Sequence, residues 1–217
     1  GMQLELWSQQ IIDGSRNTNI QIIDCSKGIS KMEVPSFKVD ASYGDVHPFG
    51  NPHYWLDPEN VKIILGELVE GLSKISPQDR EYFNRNAQQY SQLLDQKMSD
   101  WKALAEPLHG ARIVTYHSSF SYFAHRFGME VVDYVEPKSG IPPTPTHTKE
   151  LIDKIRAGGV HIIGLEQFYE ENTPASIASA SGAKVVRLST AVGGLPNTDS
   201  YTALVEYNLR ALVNALR

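Results

Sequence analysis

Arg112-Ile113-Val114-Thr115, running on into Tyr116-His117, is the stretch on which the reading of the fold depends. It follows Gly110, where the chain changes from a long polar run to short apolar runs separated by helix-length segments. Arg112–Thr115, Glu130–Val135, His161–Leu165 and Lys184–Leu188 are strand candidates, with helices expected at Phe120–Phe127, Thr148–Arg156, Thr173–Ala180 and Ser200–Leu216. Strands alternating with helices in this way predict an α/β fold with a parallel sheet and helices on both faces. Ala157-Gly158-Gly159 reads as a helix stop. The chain has no internal repeat, low-complexity tract or phosphate-cradling glycine loop.

Before Gly110 the pattern is different. Ser76-Pro77 marks a new start, and from there to about Leu104 the chain reads as one long polar helix. Its apolar stripe is sparse: Tyr82, Phe83, Tyr90, Leu93, Leu94 and Met98. Such a length suits a strut between two lobes. Pro58 to about Lys74 repeats apolar residues at helical spacing, at Val61, Ile64, Leu65, Leu68 and Leu72. Asp57 is a good N-cap for that helix and Pro58 suits its first turn. Further back, Val34–Pro52 is loop-like, Ile20–Ile23 is a short apolar strand candidate and Leu4–Ile12 reads as a short helix stopped near Gly14.

Composition narrows the function. At 217 residues the chain holds one large domain or two small lobes. A net charge of −5 without a long basic run argues against nucleic acid as a partner. Cys25 is the only cysteine, which excludes an internal disulfide. No stretch approaches the roughly 20 apolar residues of a membrane span, and no signal peptide is visible.

In open parallel sheets, ligands bind at the carboxyl ends of the strands. Three candidates fall there: His117 after Arg112–Thr115, Glu166 after His161–Leu165, and Ser189 after Lys184–Leu188. A fourth, His53, sits in Asn51-Pro52-His53-Tyr54-Trp55-Leu56-Asp57-Pro58, held between a proline and a helix start. Two imidazoles and a carboxylate make a suitable shell for Zn²⁺ or Mn²⁺. His47 is a solvated loop residue or an accessory ligand. His147 falls at a helix start, His161 in a strand, His125 on a helix face and His109 at a helix end. Tyr54, Trp55, Tyr116 and Phe120 flank the two histidines as packing.

Asn51–Pro58 resembles the signature of the cluster A-I, or TroA-like, metal-binding receptors of bacterial ABC importers for zinc and manganese. So do Thr115-Tyr116-His117-Ser118-Ser119-Phe120-Ser121-Tyr122-Phe123, Glu136-Pro137 running into Gly140-Ile141-Pro142-Pro143-Thr144-Pro145, Leu165-Glu166-Gln167-Phe168, and Tyr207-Asn208 in the last helix. The likeness runs in order over nearly the whole chain. It implies a two-lobed receptor with a partial N-terminal lobe over 1–76, a connecting helix over 77–106 and a C-terminal α/β lobe over 107–217. Relatives open with a complete α/β lobe that carries another histidine ligand; here the first part of that lobe is expected to be missing. The resemblance makes His53 and His117 ligands. Glu166 matches a carboxylate usual in the family, either a ligand or a group behind the ligands. Near Ser189 many relatives supply an aspartate.

The resemblance further implies an extracytoplasmic solute-binding protein, periplasmic or anchored at the cell surface. It would bind zinc, with manganese as the alternative, and deliver it to an ABC permease. A histidine-rich shell favours zinc. Two other readings compete. One is a metal-dependent hydrolase, although no His-Glu-x-x-His helix or nucleophile elbow supports it. The other is a degenerate receptor acting as a binding module or a homodimer through its incomplete N-terminal lobe, where exposed edges and apolar faces favour self-association.

Overall fold

Asp57 and Pro58 begin a helix, as their order predicts. The Asp57 carboxylate accepts from the Glu59 N–H at 2.9 Å, and Pro58 takes the first helical position. The computed structural model describes residues 1–5, 7–36, 47–138 and 140–217. The chain forms two compact units, the first ending at Gln96 and the second beginning at Lys97, within one long helix.

The first unit contains helix α1 (Ser8–Gly14), helix α2 (Pro58–Ile75) and the opening turns of α3 (Arg80–Ala105). The helix expected over Leu4–Ile12 starts late. Trp7 stands at its N-cap and gives no side-chain oxygen to the first free N–H groups; Leu6 lies outside the described residues. Ile20–Ile23 is not a strand. Ile22 is exposed, and Ile23 lays its side chain over Gly71 of α2, where a Cβ would come within 2.5 Å of it. An apolar run becomes a strand only beside another strand, and here a helix takes the contact. The loop expected over Val34–Pro52 is described at its two ends; residues 37–46 lie outside the described residues.

Helix α3 begins after a short 3₁₀ turn at Pro77–Asp79 and ends one residue past the expected Leu104. Its buried stripe is Leu94, Met98, Trp101 and Ala105, at steps of four, three and four residues. Tyr82 and Leu93, expected in that stripe, are exposed.

The second unit carries the sheet. Strand β1 (Arg112–Thr115) is followed by α4 (Ser121–Arg126), β2 (Glu130–Tyr134), α5 (Pro145–Gly158), β3 (Ile162–Glu166), α6 (Asn172–Ser181), β4 (Lys184–Leu188) and α7 (Tyr201–Leu216). The strands lie in the order β2-β1-β3-β4, all parallel, as the alternation predicts. All five residues of β3 are buried, so both of its faces are covered. Val114 and Ile163 point to one face and join Leu151 and Ile155 of α5 and Ile177 of α6 in a continuous core. Ile113 and Ile162 point the other way and are equally buried, and α7 packs against β3 and β4. Helix α5 ends at the expected glycines, with Gly159 as its C-cap. Among the described residues, no helix is long and apolar enough to cross a membrane.

Candidate metal-binding site

Parallel register brings the strand ends of the second unit level. Tyr134 pairs with Thr115 and Thr115 with Gly164. Two residues further along each strand stand Glu136, His117 and Glu166. The chain leaves β1 toward β2 on one side of the sheet and leaves β3 toward β4 on the other. His117 and Glu166 therefore flank the switch point, where the chain crossovers diverge and leave a crevice.

The contacts among these three residues are direct. His117 Nδ1 pairs with Glu136 Oε1, and the His117 backbone N–H donates to Glu166 Oε1 at 3.3 Å. Thr115 Oγ1 donates to the His117 carbonyl at 2.6 Å, fixing the turn after β1. Glu136 is itself held, its backbone N–H donating to the Tyr116 carbonyl at 3.1 Å and its Oε2 accepting from the Gly140 N–H at 3.2 Å. A carboxylate on Nδ1 keeps the ring proton there, orients the imidazole and places the ring lone pair on Nε2. Tyr169 stacks on Tyr116 with centroids 4.1 Å apart and lies 6.4 Å from the His117 ring. Burial pushes the Tyr116 hydroxyl up, and the charges of Glu136 and Glu166 add to it.

Glu166 is fully buried. Loss of hydration raises its carboxyl pKa from 4.5 to about 7, against the opposing pull of His117 and of a hydrogen bond from the Ser119 side chain. Its Oε2 has no hydrogen-bond partner among the described residues. An unpartnered buried carboxylate oxygen is costly, and either a proton or a cation relieves that cost. Ser189 follows β4 as expected, but its polar groups are engaged elsewhere. The hydroxyl donates to the Ala191 carbonyl at 2.8 Å, and the backbone N–H and C=O both bond the Asn208 amide of α7 at 2.8 Å.

In the first unit, His53 is buried at 8% exposure between Pro52 and a 3₁₀ turn at Tyr54–Leu56. Its backbone N–H and its ring Nδ1 both meet Asn51 Oδ1 at 2.9 Å. The Trp55 ring lies 5.4 Å away, and Asn60 of α2 donates to the Tyr54 carbonyl at 3.0 Å, tying the turn to the helix. Among the remaining histidines, His147 lies in the first turn of α5, where its N–H bonds Thr144 Oγ1, as its position predicts. His161 is exposed just ahead of β3. Two contributors escape a reading of the sequence. Asn51 carries a signal, since an asparagine two residues before its target is an Asx-turn pattern. Glu136 falls in a stretch that carries the family likeness, but only strand register reveals its contact with His117. Among the described residues, no three His, Cys, Asp or Glu side chains form a group arranged to hold one ion.

The family model described as zinc-uptake complex component A, periplasmic, matches residues 1–215. The chain belongs to that family. The family resemblance read from Asn51–Pro58 and Thr115–Phe123 is thereby borne out. The chain is also similar to individual relatives. The high-affinity zinc uptake system protein ZnuA of Brucella abortus is 25% identical over 166 residues, covering 76% of this chain and 48% of the relative. The metal ABC transporter substrate-binding lipoprotein SloC of Streptococcus mutans is 27% identical over 172 residues, covering 76% and 56%. The chain thus spans about half the length of these relatives. The fold matches that of the SBP FpvC from Pseudomonas aeruginosa in complex with Mn²⁺, with a TM-score of 0.83 and 24% identity over 99% of this chain and 77% of that one.

Proposed function

We propose that this chain is the extracytoplasmic solute-binding component of a metal importer. It binds a divalent transition metal, zinc in preference to manganese, and passes it to an ABC permease. The observation that carries this reading is His117 at the switch point of the sheet, its Nδ1 paired with Glu136 and its backbone held by Glu166. Family membership and the zinc- and metal-transport descriptions of the relatives support it. The donors proposed are His53, His117 and Glu166. An N-terminal lobe, a connecting helix and a C-terminal lobe are assigned to residues 1–76, 77–106 and 107–217. The protein acts outside the cytoplasm, in the periplasm or at the cell surface, and as a carrier, not an enzyme. Zinc is favoured because two imidazoles outnumber one carboxylate in the donor set.

Binding is linked to folding and to protons. Zinc at a thousand times its Kd raises the free energy of unfolding by about 4 kcal/mol. Denaturant melts with zinc, manganese and chelator check this, and zinc should stabilise most at equal concentration. Affinity should fall in acid, because an imidazole must be neutral to coordinate. Equal, negligible shifts with every metal would remove the proposal. Self-association is the finer expectation. Trp7, Ile11 and Ile22, exposed in the first unit, offer it an apolar surface, and sedimentation velocity tests it.

A further inference from the structure

His53 is fixed by residues that come from well before it in the chain. Asn51 Oδ1 accepts from both the backbone N–H and the ring Nδ1 of His53. A backbone N–H only donates, so that atom of Asn51 is an acceptor oxygen and Nδ1 carries the ring proton. The opposite side of Asn51 is anchored too. Its Nδ2 donates to Glu33 Oε2 at 2.8 Å, eighteen residues away, and its backbone N–H donates to the Met32 carbonyl at 2.8 Å. The approach of these two segments needs Gly50. Its φ is +107°, and a Cβ there would come within 2.9 Å of the Met32 carbonyl oxygen. Glu33 has φ +53°, the left-handed region that residues other than glycine rarely enter. Strained backbone of this kind persists where surrounding contacts enforce it, and it gathers at functional sites.

We propose that Asn51 and Glu33 are positioning residues for His53. Glu33, from its left-handed backbone, orients the Asn51 amide, and Asn51 sets His53 as the Nδ1–H tautomer with Nε2 as the metal-binding nitrogen. The chemistry is directional. An ionised carboxylate only accepts, so it selects the NH₂ end of the amide and turns the carbonyl oxygen toward the two N–H groups of His53. A flipped amide would set donor against donor there. Groups behind a metal-bound histidine that fix its tautomer and orientation typically change metal affinity by about 10- to 100-fold. The ligand role of His53 belongs to the functional reading above, but the tautomer does not depend on it.

Long-range ¹H–¹⁵N spectra of the histidines in the metal-free full chain test the positioning alone, and zinc titration of the same samples tests its consequence. The wild type should show His53 as Nδ1–H. Asn51→Ala should move it to Nε2–H and weaken zinc binding by about 10- to 100-fold. Glu33→Gln keeps an acceptor oxygen for Asn51 Nδ2 and should stay within about threefold of wild type. Glu33→Gly removes the carboxylate yet suits the left-handed backbone, so it should leave Tm undiminished while the tautomer becomes mixed and zinc binding weakens. That division between stability and tautomer would not arise from a merely structural contact. If Asn51→Ala fails to fold, Glu33→Gly carries the test. His53 remaining Nδ1–H in folded Asn51→Ala or Glu33→Gly overturns the proposal. A shifted tautomer with unchanged zinc affinity upholds the positioning and removes His53 from the ligands.

Discussion

Glu166 shows how one buried carboxylate links stability to pH. Burial holds its pKa near 7, above the 4.5 of an exposed glutamate. The native state therefore keeps a proton that the unfolded chain releases. This contribution is at its most favourable below about pH 4.5 and is lost as pH rises through 7, a difference on the order of 3 kcal/mol for the metal-free protein. Glu166→Gln should be flatter in stability than the wild type between pH 5 and 8, as read by urea unfolding at several pH values. Parallel profiles would show that Glu166 does not hold its proton there. Glu136 acts on the neighbouring imidazole. Glu136→Ala removes the acceptor from His117 Nδ1 and should weaken zinc binding by about 10- to 100-fold, measured by competition with a chromogenic chelator. The place of Glu166 at the end of a strand was readable in the sequence, because a carboxylate closing an apolar run points to a strand terminus. Its unpartnered oxygen was not, since burial depends on what the rest of the chain lays over it.

At the level of elements, short contacts hold the rim in place. Asn208 of α7 bonds both backbone groups of Ser189, and both residues are fully buried. Asn208→Ala would leave a buried N–H and C=O without partners, at about 3 kcal/mol of stability. Chemical denaturation checks this, and a loss below about 0.5 kcal/mol would mean that the tie does not anchor β4. The elements show why legibility varied along the chain. Arg112–Thr115 and Lys184–Leu188 begin and end where their apolar runs do, because each lies beside another strand. Ile20–Ile23 is likewise a short apolar run but meets Gly71 of α2, so the same kind of signal fails. Glu136 escaped for a related reason. It lies nineteen residues from His117 in sequence, and only the pairing of β1 with β2 brings the two together.

For the whole molecule, the decisive question is whether the two histidines serve one ion. His53 and His117 belong to different compact units, yet each has Nδ1 held by a side-chain oxygen, which places the ring lone pair on Nε2 in both. Two imidazoles prepared alike are the common thread between the sequence motifs and the proposed cargo. Isothermal titration of zinc into the wild-type chain, His53→Ala and His117→Ala tests this most directly. The account predicts one zinc per chain in the wild type and at least about a tenfold loss of affinity in each variant, with the loss in the double variant smaller than the product of the two because both remove ligands from one shell. Tight one-to-one binding that survives both substitutions would place the metal elsewhere and contradict the account.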